Sequence, residues 1–104
     1  MYCILYSTWP DAESAGAAAE ALVSERLVAC CNIVPGVRSV YRWEGKLQRE
    51  SEAIMICKTT SERADEAAAR IVEMHAYDLP AVVRVEIAGG HQAFLDWVGE
   101  QVSR

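Results

Sequence analysis

Residues 27–59 decide the fold, and they read LVACCNIVPGVRSVYRWEGKLQRESEAIMICKT. The first eight of them are almost wholly apolar and stop at Pro35-Gly36, which predicts a strand over 27–34 that is buried on both faces. Residues 37–44 alternate as a second strand does. One side of that strand carries Val37, Ser39, Tyr41 and Trp43, and the other carries Arg38, Val40, Arg42 and Glu44.

The return strand over residues 46–59 follows a hairpin turn predicted at Glu44-Gly45-Lys46. It is polar at first and apolar later. At roughly 3.3 Å per residue it spans about 45 Å, whereas a globule of this length has a radius of gyration of about 13 Å. The hairpin is therefore predicted to project, and its unpaired edges favour pairing with another copy of the chain.

Strand and helix patterns flank this hairpin on both sides. The predicted elements are a strand over 2–8, an alanine-rich helix over 12–26 capped by Asp11 or Ser14, a helix capped by Ser61 whose apolar stripe ends at His75, a strand over 81–88, and a short terminal helix marked by Phe94, Trp97, Val98 and Val102. The order is β, α, two or three strands, α, β, α. It predicts an α+β, ferredoxin-like βαββαβ sandwich with a long projecting β-hairpin and an extra C-terminal helix, as one domain over residues 1–104.

Composition narrows the classes of partner. Hydrophobic residues make up 52% of the chain, enough for a packed core. Ten basic against fifteen acidic residues give a net charge of −5, which disfavours nucleic acid. No apolar run approaches the roughly 20 residues that a membrane helix needs. The start lacks the basic region of a signal peptide and no C-x-x-C pair occurs, so we expect reduced thiols and a cytoplasmic location.

Few side chains indicate chemistry. His75 ends an apolar stripe and enters a loop with Tyr77 and Asp78, so it could ligate a metal or titrate; it could equally cap the helix and pack. The cysteines Cys3, Cys30, Cys31 and Cys57 lie mostly on strands and are expected to act as small buried hydrophobes, with no convergence into a metal site. No phosphate-binding or dinucleotide motif is present.

The residues as a whole resemble a known family. The run LVACCNIVPGVRSVYRWEGK over 27–46 closely resembles the signature of the CutA family of divalent-cation tolerance proteins. Further blocks agree in order along the chain, namely Ser7-Thr8 with Pro10-Asp11, Glu52, Lys58-Thr59, His75-Ala76-Tyr77-Asp78-Leu79-Pro80 and Phe94-Leu95-Asp96-Trp97. The resemblance covers essentially the whole chain.

The resemblance implies a ferredoxin-like subunit of a tight homotrimer, with hairpin strands pairing between neighbours, in a cytoplasmic protein without established catalytic activity. It also implies an association with copper and other divalent cations. Two departures bear on the metal. Some members have a cysteine at the position of Ser7, so this chain lacks the thiolate that would be the softest metal ligand. The commoner H-P-Y-E pattern of the family reads H-A-Y-D from His75 to Asp78 in this chain.

The resulting prediction is a CutA-like homotrimer that binds or responds to copper or another divalent cation, with no obligatory cofactor. His75 and Asp78 are the predicted metal ligands. A ligand cleft is predicted to be lined by Trp43, Glu44, Lys58, Tyr77 and Trp97, and the oligomer interface to contain Ser39, Tyr41, Trp43 and Glu52.

Two alternatives to metal binding stay open. The first is a PII-like signalling module that binds a small anionic effector between subunits, with Lys58 and Arg42 supplying charge. The second is an enzyme that uses His75 as acid or base with Tyr77 and Asp78 in support. The absence of a nucleophile or cofactor motif disfavours the enzyme.

Overall fold

The computed structural model describes residues 1–103; Arg104, the last residue of the predicted domain, lies outside the described residues. Its elements are β1 (Tyr2–Trp9), α1 (Ala12–Ser24), β2 (Cys30–Trp43), β3 (Lys46–Thr60), α2 (Ser61–Met74), β4 (Val82–Glu86) and α3 (Gln92–Val102). They form one sheet in the order β2-β3-β1-β4, and each neighbouring pair is antiparallel. This is the predicted ferredoxin-like arrangement with α3 added, and that prediction is confirmed.

Helices α1 and α2 pack on the face of the sheet to which the buried residues of β1 point, since β1 alternates strictly between buried and half-buried residues. The core beneath α1 and α2 is built from Leu5, Trp9, Leu22, Met55 and Ile71, among others. The alanine-rich face of α1 is buried there, and its small side chains let the helix lie close on the sheet: Ala15, Ala18 and Ala19. The helical spacing of apolar residues predicts that Val23 of α1 and Val72 of α2 are buried, but both are exposed.

On the opposite face of the sheet, α3 packs at the Tyr2 end, and the side chains farther along β1 and β4 are half-buried or exposed. Val83 and Val85 of β4 are 50% and 48% exposed, and the register places them beside Tyr6 and Ile4 of β1. These β1 side chains are half-buried. We call this surface the open face. Further members from β3 are Ile54 and Ile56, which pair with Thr8 and Tyr6.

The predicted strand over 27–34 is wrong in its start, its end and its burial. Leu27 and Val28 form a buried connection before β2, which begins at Cys30. The strand then continues through Pro35-Gly36 to Trp43 at the edge of the sheet, so only one of its faces packs on the core. It can pass the proline because the register shifts between Val34 and Val37, where two β2 residues oppose one on β3, and Gly36 has a φ of +70°.

The hairpin turn lies at Glu44-Gly45, where φ is +49° and +78°. Two successive positive φ angles are typical of the two-residue turn whose twist matches antiparallel strands. Trp43 then pairs directly with Lys46. The molecule measures 44 × 25 × 22 Å, so the predicted projection of the hairpin is confirmed.

The two helix caps differ from each other. Asp11 caps α1 as predicted, because its carboxylate accepts a hydrogen bond of 2.7 Å from the Ser14 backbone N–H. Ser61 is the first helical residue of α2 and not its cap; Thr60 holds that position without a side-chain hydrogen bond. Among residues 1–103, none of the helices combines the length and apolar character needed to cross a bilayer.

Candidate functional site

A stack of three aromatic rings lies where α2 ends. His75 is the C-cap of α2, and its ring is 4.1 Å from the Trp9 ring, with the two planes 25° apart. The Tyr77 ring is 4.7 Å from that of His75, with the two planes tilted by 43°. The stack joins the last residue of β1 to the loop that follows α2. We call Trp9, His75 and Tyr77 the ring stack.

Both nitrogens of His75 are engaged within the chain. Nε2 lies 2.7 Å from the carbonyl oxygen of Thr8, which can only accept, so Nε2 carries the proton. Nδ1 accepts a hydrogen bond of 3.2 Å from the Tyr77 backbone N–H. A neutral imidazole satisfies both contacts. A metal ion could bind this ring only if one of the two hydrogen bonds were broken.

Glu52 is the buried carboxylate beside the ring stack. It is 7% exposed, and its Oε2 accepts a hydrogen bond of 2.8 Å from the Tyr77 hydroxyl. No lysine or arginine within residues 1–103 forms an ion pair with it. Burial, and next the hydrogen bond to Glu52, raise the pKa of Tyr77 well above its ordinary value. Tyr77 therefore keeps its proton and acts as a donor.

Ser7 holds the Trp9 ring of the ring stack through a hydrogen bond. It is fully buried, and its hydroxyl accepts a hydrogen bond of 2.8 Å from the Trp9 indole N–H. Trp9 itself is 2% exposed and would otherwise leave this donor unpaired in the core. Ser7 is thus a core residue that orients Trp9, and through Trp9 the ring of His75.

The remaining predicted site residues are spread over the molecule. Asp78 is exposed in the loop after α2, and Trp97 of α3 stacks on Phe94 with ring centres 5.7 Å apart. Trp43 and Glu44 lie at the hairpin tip, whereas Lys58 lies near the hairpin base, where its ammonium group donates to the Asn32 side chain.

Along β3 the tip and the base are about 40 Å apart at roughly 3.3 Å per residue. One chain therefore brings His75 and Tyr77 together but does not bring Trp43 or Glu44 to Lys58. Within residues 1–103, no group of three or more His, Cys, Asp or Glu side chains is arranged to hold a metal ion.

The residues predicted for the oligomer interface share one face of the hairpin. Ser39 pairs with Glu50, Tyr41 with Gln48 and Trp43 with Lys46, and directly opposed residues project from the same side of a sheet. The Tyr41 hydroxyl donates a hydrogen bond of 2.9 Å to Glu50, which raises the pKa of Tyr41. Glu52, opposite Val37, continues this face toward the ring stack.

Sequence reasoning missed one pair of reactive groups. Cys31 of β2 lies directly opposite Cys57 of β3, with the two sulfur atoms 3.1 Å apart. The sequence analysis did not predict this contact between two thiols, which by itself provides only two of the donors that a metal site needs. The register shift at Pro35-Gly36 creates the pairing, because an unshifted ladder from the turn would place Cys31 opposite Lys58. Pro35 and Gly36 are the sequence feature from which this register shift could have been predicted.

Comparison with known proteins decides the family. The family model described as CutA1 divalent ion tolerance protein matches residues 3–101. The chain belongs to the CutA1 family. A CutA1-family relative, the divalent-cation tolerance protein CutA of Thermus thermophilus, is 40% identical over 97 residues, which are 93% of this chain and 94% of that protein.

Solved CutA1 structures agree with the fold described above. A divalent cation tolerance protein (Cut A1) from Thermus thermophilus superposes with a TM-score of 0.95 at 39% identity, covering 99% of this chain and 100% of that one. CutA1 from Oryza sativa superposes with a TM-score of 0.94 at 37% identity, covering 98% and 94%. The predicted membership of the CutA family is confirmed.

Some CutA1 relatives are longer than this chain. It spans about half the length of the chloroplastic CutA proteins of Arabidopsis thaliana and Oryza sativa, 52% and 54% respectively, at 40% identity over 95 residues. The family and the fold are therefore shared along the matched region. The shared family does not by itself give the ligand or the oligomeric state of this chain, and its cytoplasmic location stays a prediction.

Proposed function

We propose that this chain acts as a non-enzymatic, homotrimeric protein that binds or responds to divalent cations. The observation that carries the assembly is the apolar open face together with the projecting hairpin. Val83 and Val85 are half-exposed on that face, and the hairpin exposes Val40, Trp43 and Leu47 by 64%, 45% and 54%. Exposed apolar side chains on the open face and on both sides of the hairpin favour a contact with another protein.

The open face and the predicted interface residues form a continuous surface. On β3 the even-numbered residues Ile54 and Ile56 belong to the open face, and Glu52 and Glu50 follow them toward the tip on the same side. Tyr41 and Ser39 lie opposite this even-numbered row. A neighbouring subunit that covers the open face would thus also contact the Tyr41 and Trp43 side of the hairpin.

The assembly can be tested by measuring molecular mass across a range of protein concentrations with sedimentation. We expect the wild type to have three times the 11.5 kDa of one chain. Trp43→Arg places a charge on the hairpin tip, so its oligomer should dissociate at higher protein concentration than that of the wild type. Trp97→Arg is the matched control, since Trp97 is 39% exposed but lies on α3. A single-chain mass at all concentrations would rule out the trimer.

The cation site is proposed at His75 and Asp78, but one chain does not fit a preformed copper site. Both imidazole nitrogens are engaged, Asp78 is exposed, and Ser7 uses its hydroxyl to hold Trp9. A copper or zinc site would need three or four converging donors. A neighbouring subunit would have to supply the missing donor atoms, and one of the two hydrogen bonds of His75 would have to break.

Calorimetric titration of the oligomer with copper(II) and with zinc at neutral pH tests the cation site. We expect measurable heat for the wild type and a loss of that heat for His75→Ala. The matched control is His91→Ala, because His91 is exposed at the start of α3 and is not a member of the ring stack. Equal, negligible heats for wild type and His75→Ala would refute cation binding at this histidine.

A second candidate function is binding of a small anionic effector, as in PII-like modules. The face of the hairpin opposite to Tyr41 carries Arg38, Arg42 and Arg49, all exposed, and no acidic side chain of residues 1–103 forms an ion pair with them. Three unpaired guanidinium groups on one face favour an anion. Thermal-shift screening against nucleotides and carboxylates separates anion binding from cation binding, because a ligand raises the melting temperature only if the folded protein binds it.

Catalysis is not part of the proposal. The ring of His75 makes both of its hydrogen bonds to backbone groups, which leaves neither nitrogen directed at a substrate. The raised pKa of Tyr77 also makes it a poor base near neutral pH. The ring stack is therefore suited to fixing the loop that carries Asp78.

A further inference from the structure

The thiols of Cys31 and Cys57 are placed for bond formation. Directly opposed residues on antiparallel strands have Cα atoms about 4.5–5.5 Å apart, which is inside the range that a disulfide requires. The two sulfur atoms are already 3.1 Å apart, across 26 residues of sequence. Joining them requires the sulfur atoms to approach by about 1 Å, and no strand has to move out of register.

The two thiols differ in access and in proton affinity. Cys57 is fully buried in the core, whereas Cys31 is half-buried on the edge strand. The hydrogen bond between the two thiols lowers the pKa of Cys31, and Lys58 adds a smaller effect in the same direction. The same hydrogen bond, and next burial, raise the pKa of Cys57. Cys31 is thus the accessible nucleophile and Cys57 the thiol that keeps its proton.

We propose that Cys31 and Cys57 are a peroxide-oxidised thiol pair, in which Cys31 reacts with the peroxide and Cys57 resolves the product into a cross-strand disulfide. This pairing of an accessible thiol with an adjacent buried partner is the arrangement found in redox-sensing cysteines. The substrate class is a small hydroperoxide. The reaction needs no metal and no further protein.

Each step of the oxidation balances. The Cys31 thiolate attacks one oxygen of the hydroperoxide, so that a sulfur–oxygen bond forms, the oxygen–oxygen bond breaks and an alcohol or water leaves after taking a proton. The Cys57 sulfur then attacks the Cys31 sulfenic acid. The sulfur–sulfur bond forms, the sulfur–oxygen bond breaks, and the Cys57 proton leaves with the hydroxyl as water. Two thiols lose two electrons, and one hydroperoxide gains them.

The other two cysteines provide internal comparisons. Cys30 is also half-buried and is next to Cys31 in sequence, but it lies on the opposite side of β2, and burial raises its pKa. Cys3 is fully buried in β1, where its thiol is 3.9 Å from the Thr60 carbonyl oxygen. Neither has a sulfur partner. Cys30→Ala is therefore the matched control for Cys31→Ala.

The test uses the full chain, reduced and then exposed to a small excess of hydrogen peroxide before maleimide labelling and mass spectrometry. We expect two of the four thiols to become unreactive, a peptide linking Cys31 to Cys57, and full recovery with dithiothreitol. Cys30→Ala should form the same link at the same rate. Cys31→Ala should slow the loss of thiols at least tenfold.

A sulfenic acid probe distinguishes the two roles. In Cys57→Ala the sulfenic acid on Cys31 has no resolving thiol, so dimedone should label Cys31 in that variant and not in the wild type. Circular dichroism checks that Cys57→Ala folds. If Cys57→Ala does not fold, the rate of thiol loss in Cys31→Ala still tests the proposal, because Cys31 is only half-buried. Four thiols that stay equally reactive, or a disulfide that excludes Cys31 and Cys57, would overturn the proposal.

Discussion

Replacing Tyr77 by phenylalanine tests whether the ring stack depends on its buried carboxylate. The substitution removes only the hydroxyl that donates to Glu52 at 2.8 Å. Glu52 is 7% exposed and has no ion-pair partner within residues 1–103, so water replaces the lost donor poorly. A hydrogen bond to a charged group is worth about 1.5–3 kcal/mol. We therefore expect Tyr77→Phe to lower the free energy of unfolding by about 2 kcal/mol.

The assay is urea unfolding at one fixed chain concentration, because assembly makes stability depend on concentration. Tyr2→Phe is the matched control: Tyr2 is half-buried on β1 against α3, and its hydroxyl makes no hydrogen bond within the described chain, so the expected loss is under about 0.5 kcal/mol. Adding Glu52→Gln to Tyr77→Phe should restore part of the stability, since an unpaired amide is easier to bury than a carboxylate. Equal losses for Tyr77→Phe and Tyr2→Phe would refute the reasoning.

Three further changes have expected outcomes. Ser7→Ala leaves the Trp9 indole N–H unpaired in the core, so urea unfolding should show a loss of about 1–3 kcal/mol; an unchanged midpoint would mean that Trp9 finds another acceptor. Gly45→Ala should cost about 1–2 kcal/mol in the same assay because φ is +78°, whereas Gly89→Ala, where φ is ordinary and the space is open, should cost little; equal effects would contradict the turn geometry. The hydrogen bond from the Ser14 backbone N–H, and next the one from the Ser14 side chain, lower the pKa of Asp11. The contribution of Asp11 to folding stability is therefore present above the unfolded pKa of about 4 and is lost as pH falls through the folded pKa. Asp11→Asn should flatten the acid side of a melting-temperature profile, and an unchanged profile would argue against the cap.

The order of the elements could be predicted because each one has its own local signal. Alternation along residues 37–44 and a turn at Gly45 are sufficient to predict a hairpin, and both are present in the structure. The start of β2 could not be predicted in this way. Leu27 and Val28 are as apolar as strand residues, yet they are buried as a connection beneath the helices, and a short apolar run does not distinguish these two environments.

The site was predicted less completely because its contacts join distant parts of the chain. The position of His75 at the end of α2 follows from the helical stripe, but its hydrogen bond to the Thr8 carbonyl spans 67 residues. The role of Ser7 as the acceptor for Trp9 depends equally on packing that no local pattern encodes. Cys31 meets Cys57 only because of the irregularity at Pro35-Gly36, and the sequence does not state by how many residues a ladder shifts.

The hairpin on either side of that irregularity can change in length only in steps that keep the alternation of its side chains. Before it, Ile33 of β2 contacts the helix layer near Gly16; after it, the odd-numbered residue Tyr41 lies on the open-face side. Deleting one residue there would leave a regular ladder with Val37 still opposite Glu52, so the sides of the outer arm would be kept. Removing one cross-strand pair from the arm would instead shorten it by about 3.3 Å and exchange the sides beyond the cut. Insertions and deletions in pairs of residues on both strands preserve every outward side chain. The reach of the arm can therefore vary in even steps while the core beneath it stays the same.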